Sequence, residues 1–450
     1  MKTIRRTRFS FTVIAALVLI ISFAMVNCGG GGGSDGGGAK PKWTGTKQLG
    51  VAGAYTEASG VAVDASGNVY VAGYTEGGLD GNTLMGGTDL FVTKYDSSGA
   101  KLYTRQTGTI GASTQAYGVA VDTSGSVYVA GYTNGGLDGN TLAGGFDYFL
   151  TKYNSAGTKL YTRQTGTAGA VTMAYGVAVD ASGNVYVAGR TNGGLDGNSL
   201  MGGRDFFVTK YDSSGAKLYT RQTGTVGANT QAYAVAVDAS GNVYVAGGTN
   251  GGLDGNTLAG GYDYSLTKYD SSGIKLFTRQ TGTVGKYTQA SGVAVDGSGN
   301  VYVAGFTNGG LDGKTLAGSW DYFLTKYDSS GTKLFTRQTG TVGKYTQASG
   351  VAVDGSDNVY VAGYTDGGLD GNILTGIRDF FVTKYDSSGN KVRTKQLGTV
   401  GASTEAYSVA VDAGGNVFVA GYTLGGLDGN TLTGTDDFFV TKYDPDGNKQ

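Results

Sequence analysis

Two aspartate series recur along this 450-residue chain and are its most numerous candidates for chemistry. Asp80, Asp138, Asp196, Asp254, Asp312, Asp370 and Asp428 each stand in a Leu-Asp-Gly motif. Asp89, Asp147, Asp205, Asp263, Asp321, Asp379 and Asp437 each follow nine residues later. Carboxylates are hard oxygen ligands, and calcium would take six to eight such oxygens from several groups. The strict spacing of an EF-hand or of a nonapeptide calcium repeat is absent. A tight Asp-Gly turn, with the carboxylate accepting from backbone amides, explains the first series and is the expected reading. The second series is expected to tie down the amides of the loop before it.

Catalysis finds little else to use. Paired carboxylates can serve as acid and base, but an active group needs a special environment, and these aspartates occupy seven near-equal settings. The chain has no His and a single Cys, Cys28, so the commonest general base is missing. The residues that break the repeat are Glu57, Glu76, Arg190, Arg204, Arg378, Glu405 and Asp436. The sequence therefore reads as a non-catalytic binding protein without a cofactor. Two alternatives stand behind it: a structural envelope protein whose Asp-Gly-Asn loops are stiffened by calcium, and a carbohydrate-active hydrolase or lyase. With 34 basic and 35 acidic residues, the net charge of -1 gives nucleic acid no general attraction.

These residues are positioned by a repeat. Val61, Val119, Val177, Val235, Val293, Val351 and Val409 open the same Val-Ala-Val-Asp stretch at steps of 58 residues. In the third copy, Gly176 to Asp180 reads as a strand a, followed by a tight turn and strand b, Val185 to Thr191. A Gly-rich loop leads to strand c, Asp205 to Tyr211. A second tight turn, Asp212 to Gly215, leads to strand d, Lys217 to Thr223. Alternating β-formers between Asp-x-x-Gly turns support each hairpin. Seven four-stranded antiparallel units predict an all-β, seven-bladed β-propeller over 43–450. The last copy lacks a strand d. Lys42 to Gly50 resembles Lys391 to Gly398, so this N-terminal stretch is expected to complete blade 7 and close the ring.

The Gly-Val-Ala-Val-Asp-x-x-Gly-Asn-Val-Tyr-Val-Ala-Gly segment resembles the SBBP β-propeller repeat of exported bacterial proteins. So do the Asp-Phe-Phe-Val-Thr-Lys-Tyr-Asp-x-x-Gly and Gln-Thr-Gly segments. The resemblance covers 44–450. It implies an envelope or surface location and a binding or adhesion role, and it implies no common reaction.

The amino terminus reads as a targeting segment. Lys2, Arg5, Arg6 and Arg8 precede an apolar run from Phe9 to Val26, the pattern of a secretory signal. Met25-Val26-Asn27-Cys28 resembles a lipobox. This gives 1–27 as a lipoprotein signal peptide, Cys28 as the lipidated residue and 28–42 as a Gly-rich tether. The expected site is the bacterial envelope, at the outer membrane or cell surface, with an uncleaved anchor as the other reading.

A meander puts the a–b and c–d turns on one face and both long loops on the other, and binding loops on a rigid scaffold are where function concentrates. Two positions vary widely between copies. One precedes strand c: Thr88, Phe146, Arg204, Tyr262, Trp320, Arg378 and Asp436. The other ends strand b: Tyr74, Tyr132, Arg190, Gly248, Phe306, Tyr364 and Tyr422. They are expected to form two rings on the long-loop face, rich in the side chains that dominate binding interfaces, and to contact a protein or glycan.

Overall fold

A computed structural model describes residues 42–450. The expected signal segment, Cys28 and the tether up to residue 41 lie outside the described residues.

Seven four-stranded antiparallel sheets follow one another around a ring. In blade 1 strand a is Thr56–Val63, strand b Val69–Thr75, strand c Asp89–Tyr95 and strand d Lys101–Thr107. The tight turns are closed as their spacing demands. In the first, the Gly67 N–H donates to the Asp64 carbonyl at 2.9 Å, and Gly67 sits at φ 78°, a region glycine enters without steric cost.

Strand a is longer than the expected Gly-Val-Ala-Val core because it starts before a bulge. Pairing runs Ala58 to Gly73, then Gly60 to Ala72, leaving Ser59 as the extra residue. The same shift recurs in every blade and leaves Tyr117, Tyr175, Tyr233, Ser291, Ser349 and Tyr407 unpaired. A bulge reverses the facing of side chains beyond it, so one valine-rich strand serves the blade interface after the bulge and a different face before it. Gly73 is obligatory here, since a Cβ on it would lie 1.8 Å from the Glu57 carbonyl.

The core is distributed between blades. Tyr70, Ala72, Leu90 and Val92 of blade 1 pack on Ala116, Val127, Val129, Leu137, Phe149 and Tyr153 of blade 2. The seventh cluster joins Phe418, Ala420, Phe438 and Val440 of blade 7 to Val69, Val71, Phe91 and Tyr95 of blade 1, so the ring is shut. Phe91 stacks on Phe438 at 5.0 Å between centroids across this seam.

Closure uses the amino-terminal strand as expected: Lys47–Leu49 pairs antiparallel with Val440, Phe439 and Phe438 of blade 7. It is shorter than the other outer strands, because Gly45 turns at φ 64° and Trp43, buried, packs into the seam against Tyr95 and Phe418. Asp428 clamps this junction, accepting the Thr46 N–H at 3.0 Å on one oxygen and pairing with Lys449 through the other.

Candidate functional site

The long-loop face is built around the mouth of the central channel. Strand a begins there, so its second residue and its bulge residue from each blade surround the axis. The second residues are Glu57, Gln115, Met173, Gln231, Gln289, Gln347 and Glu405. The bulge tyrosines and serines also line the channel. Above it a cavity of about 410 Å³ is walled by Tyr74, Tyr117, Tyr175, Tyr233, Phe306, Tyr364 and Tyr407, together with Glu57, Gln289 and Gln347.

Of the two expected rings, the one ending strand b reaches this mouth most directly. Tyr74, Phe306 and Tyr364 line the cavity. Tyr132 stacks on Tyr117 at 5.2 Å and meets Phe146 edge-on at 5.5 Å. Tyr422 lies 5.5 Å from Tyr407. The Arg190 guanidinium lies 5.8 Å from the centre of the Tyr175 ring and donates to the Gln231 amide oxygen at 2.8 Å. Gly248 is buried, and the Tyr262 ring occupies the place its side chain would take.

The ring before strand c divides. Arg204 is exposed, and Phe146, Trp320 and Arg378 are half-buried. Trp320 gathers with Phe306, Tyr287 and Tyr345 in one aromatic patch. Thr88, Tyr262 and Asp436 are buried instead, so not every member of the expected contact ring reaches the surface. Burial there is local, the Tyr262 ring filling the space beside Gly248; the backbone bridge to the next blade is shared by six of the seven positions, whose carbonyls, from Thr88 to Arg378, accept the first N–H of the next strand a at 2.8–3.0 Å. At the seam the Asp436 carboxylate replaces the carbonyl, accepting the Thr56 N–H at 2.5 Å.

Charge is polarised across the mouth. Glu57, Glu76, Glu405 and Asp436 all belong to the blade 7–blade 1 side. Burial pushes Glu57 up to about 7, opposed by a hydrogen bond from Tyr74 and helped by the Asp436, Glu405 and Glu76 carboxylates. Burial also pushes Asp436 up to about 6, against the Thr56 N–H. Arg378 neutralises Glu405 through a 2.5 Å contact. The Arg190 Nε is buried without a partner.

The Leu-Asp-Gly aspartates lie away from the mouth, on the outer rim of the blades. Each adopts the left-handed backbone expected of an Asp-Gly turn, with φ from 49° to 57°. Their carboxylates do not bond the turn amides. Asp254, for example, accepts from Lys275 at 2.6 Å and from the Thr278 hydroxyl at 2.5 Å, both on strand d. The same lysine pairing recurs in all seven blades. The second aspartate series behaves as the sequence implies: Asp89 accepts from the amides of Met85 and Gly86 at 2.8 and 2.9 Å, and from Gln106 at 2.9 Å. Among the described residues no three His, Cys, Asp or Glu side chains gather as a metal site.

Sequence reasoning missed the bulge tyrosines and the ring of strand-a second residues. The available signal was the variation from Ser to Tyr at the residue before Gly-Val-Ala-Val, which tracks no turn or core requirement.

The Beta-propeller repeat family SBBP matches residues 45–80, 102–138, 160–196, 218–254, 276–312, 334–370 and 392–428. A similar curated protein is the regulatory protein FlaEY of Caulobacter vibrioides (strain ATCC 19089 / CIP 103742 / CB 15), 26% identical over 367 residues. That alignment covers 68% of this chain and 37% of the relative, so the chain spans little more than a third of that protein. Among solved structures, polysaccharide lyase Uly1 superposes with a TM-score of 0.48 at 13% identity, over 86% of this chain and 90% of that one. The WD40 β-propeller domain of Doa1 gives 0.46 at 12% identity, over 88% and 97%. With seven matched repeats and seven blades on the page, the chain belongs to the SBBP β-propeller repeat family.

Proposed function

We propose that this propeller is a non-catalytic binding or adhesion scaffold of the bacterial envelope, held by lipidated Cys28, that contacts a protein or glycan through its long-loop face. The observation that carries the reading is where the copies differ. Strands that build the blade interfaces are nearly identical in all seven repeats, whereas aromatic, Gln and Glu residues at positions that vary between copies line one 410 Å³ mouth. Aromatic planes beside amide groups suit stacking with hydrogen bonding at the ring edge.

The regulatory name of the Caulobacter relative is in keeping with a role in binding.

The test is a binding screen of full-length protein against glycans and envelope or host proteins. Phe146, Phe306 and Trp320 replaced together by Ala should abolish capture of the partner while the melting temperature holds. Unchanged capture refutes the face. Cys28→Ala should move the protein to the soluble fraction; continued membrane retention refutes the lipid anchor.

A further inference from the structure

Repeat symmetry supplies an internal template for one feature of the mouth. Between blades 6 and 7, the Arg378 guanidinium donates to the Glu405 carboxylate at 2.5 Å and lies 5.3 Å from the centre of the Tyr364 ring. Glu405 is only 5% exposed, so its charge is answered by that arginine. One blade further on, the equivalent three positions are Asp436, Glu57 and Tyr422. The carboxylate and the tyrosine recur, and the arginine does not. The Asp436 side chain turns away to hold the Thr56 N–H. Among the described residues Glu57 has no salt-bridge partner, unlike Glu405.

We propose that this place receives a guanidinium from outside: an arginine side chain of a protein partner docks at the mouth, against Glu57 and Tyr422, as Arg378 docks against Glu405 and Tyr364. The inference rests on the long-loop face being a binding face and adds the chemistry of what it binds. Glu57 borders the open cavity beside Tyr74, Tyr117 and Tyr407, so an incoming side chain has a route to it. Gln stands at the equivalent position in four blades, so blade construction does not require a carboxylate there. Asp436, Glu405 and Glu76 all bear on Glu57 and Tyr74 faces it, and an added cation relieves that crowding of negative charge. A guanidinium suits the place better than an ammonium because its plane can stack on a tyrosine while its edge pairs with a carboxylate. In blade 3 a guanidinium occupies a related setting built from other positions, Arg190 at the end of strand b lying 5.8 Å from the ring centre of the bulge residue Tyr175 and donating to the Gln231 amide oxygen.

The experiment is calorimetric titration of the full-length protein with N-acetylarginine amide, and with N-acetylcitrulline amide as the uncharged isostere. Saturable binding of the arginine probe at one site is expected, and at least tenfold weaker binding of citrulline. Affinity should rise from pH 6 to pH 8 as Glu57 ionises. Glu57→Gln should weaken binding at least tenfold. Asp436→Arg should do the same by filling the place from within. Arg378→Ala should add a second site at Glu405. Equal binding of citrulline, no saturable arginine binding, or unchanged affinity in Glu57→Gln overturns the proposal, and the glutamine variant decides it even where Asp436→Arg fails to fold. Failure of the binding face is read separately: there the alanine triple variant leaves partner capture unchanged, whereas here a captured partner ignores Glu57→Gln.

Discussion

Replacing Glu57 by Gln should make the propeller more stable at pH 8 and leave it unchanged near pH 4.5. The carboxyl is pushed up from 4.5 to about 7, first by burial and then by the Asp436, Glu405 and Glu76 carboxylates, with the Tyr74 hydrogen bond opposing. A folded-state pKa raised above the unfolded one means the folded protein binds more protons between those values. Stability is therefore full below the unfolded pKa and falls as pH rises toward 7. Each unit is worth about 1.4 kcal/mol, so the full shift corresponds to about 3.5 kcal/mol, which solvent screening of the half-buried group reduces to about 2–3 kcal/mol at pH 8. Gln, already native at Gln115, Gln231, Gln289 and Gln347, keeps the shape and never ionises. At about 2 cal/mol/K per residue over roughly 400 residues, a few kcal/mol corresponds to a rise in Tm of about 3 °C if the ring melts as one unit. Differential scanning calorimetry of both proteins at pH 4.5 and pH 8 reads this directly. An equal shift at both pH values, or a destabilised variant at pH 8, would refute the reasoning, because the cost would then lie in packing and not in charge.

Asp436→Asn should stabilise above pH 6 for the same reason, since the amide oxygen still accepts the Thr56 N–H; urea unfolding midpoints at pH 5 and pH 8 check it. Asp428→Ala should cost about 1 kcal/mol more than Asp138→Ala in thermal melts, because it leaves the Thr46 backbone N–H of the closing strand without its acceptor, whereas Asp138→Ala frees only the Thr162 hydroxyl, which can turn to another acceptor. Burial works against ionised Asp428, yet the Lys449 ammonium and the Thr46 amide outweigh it and hold the carboxyl below its usual range. That contribution is present at neutral pH and is lost as pH falls through the acid range. Phe91→Ala, which removes a seam stack, should cost about 3–5 kcal/mol and open the ring to proteolysis near Trp43. EDTA should leave Tm unmoved, because lysines already occupy the Leu-Asp-Gly carboxylates and the Thr hydroxyls join them in most blades; a chelator-dependent fall would restore calcium as a structural partner.

Blade number, the identity of strands b, c and d, the two faces and the borrowed closing strand were all legible in the sequence. Each follows from period-two alternation bounded by turn residues, and the expected strands Val185–Thr191, Asp205–Tyr211 and Lys217–Thr223 are those observed. Strand a was legible only from its bulge onward. Thr172 to Ala174 alternates in one phase and Gly176 to Val179 in the other, so the first three residues look like the end of a loop. That phase change hid the mouth: the bulge turns Tyr175 inward and places Met173 and its equivalents beside the axis. The Leu-Asp-Gly carboxylates were misassigned to local amides because their true partners, Lys and Thr of strand d, lie 21 and 24 residues away. A local motif cannot announce a distant hydroxyl.

Near-identity of the copies also changes what counts as evidence about function. A residue present in all seven blades is accounted for by requirements that all blades share, such as the Asp89 series holding its loops. Chemistry specific to this protein must then lie where a copy departs from the rest and the departure carries a cost. The exposed Arg204 departs without any unmet bond in this structure, and so carries no argument of its own. Glu57 departs at a position where Gln serves elsewhere, in a half-buried setting crowded by like charge, and beside a tyrosine whose counterpart one blade away already carries a guanidinium. A neutral substitution was available in the same chain four times over. Of the two carboxylates at this position, Glu405 has its arginine and Glu57 does not, which makes the seam between blades 7 and 1 the part of the mouth to test first.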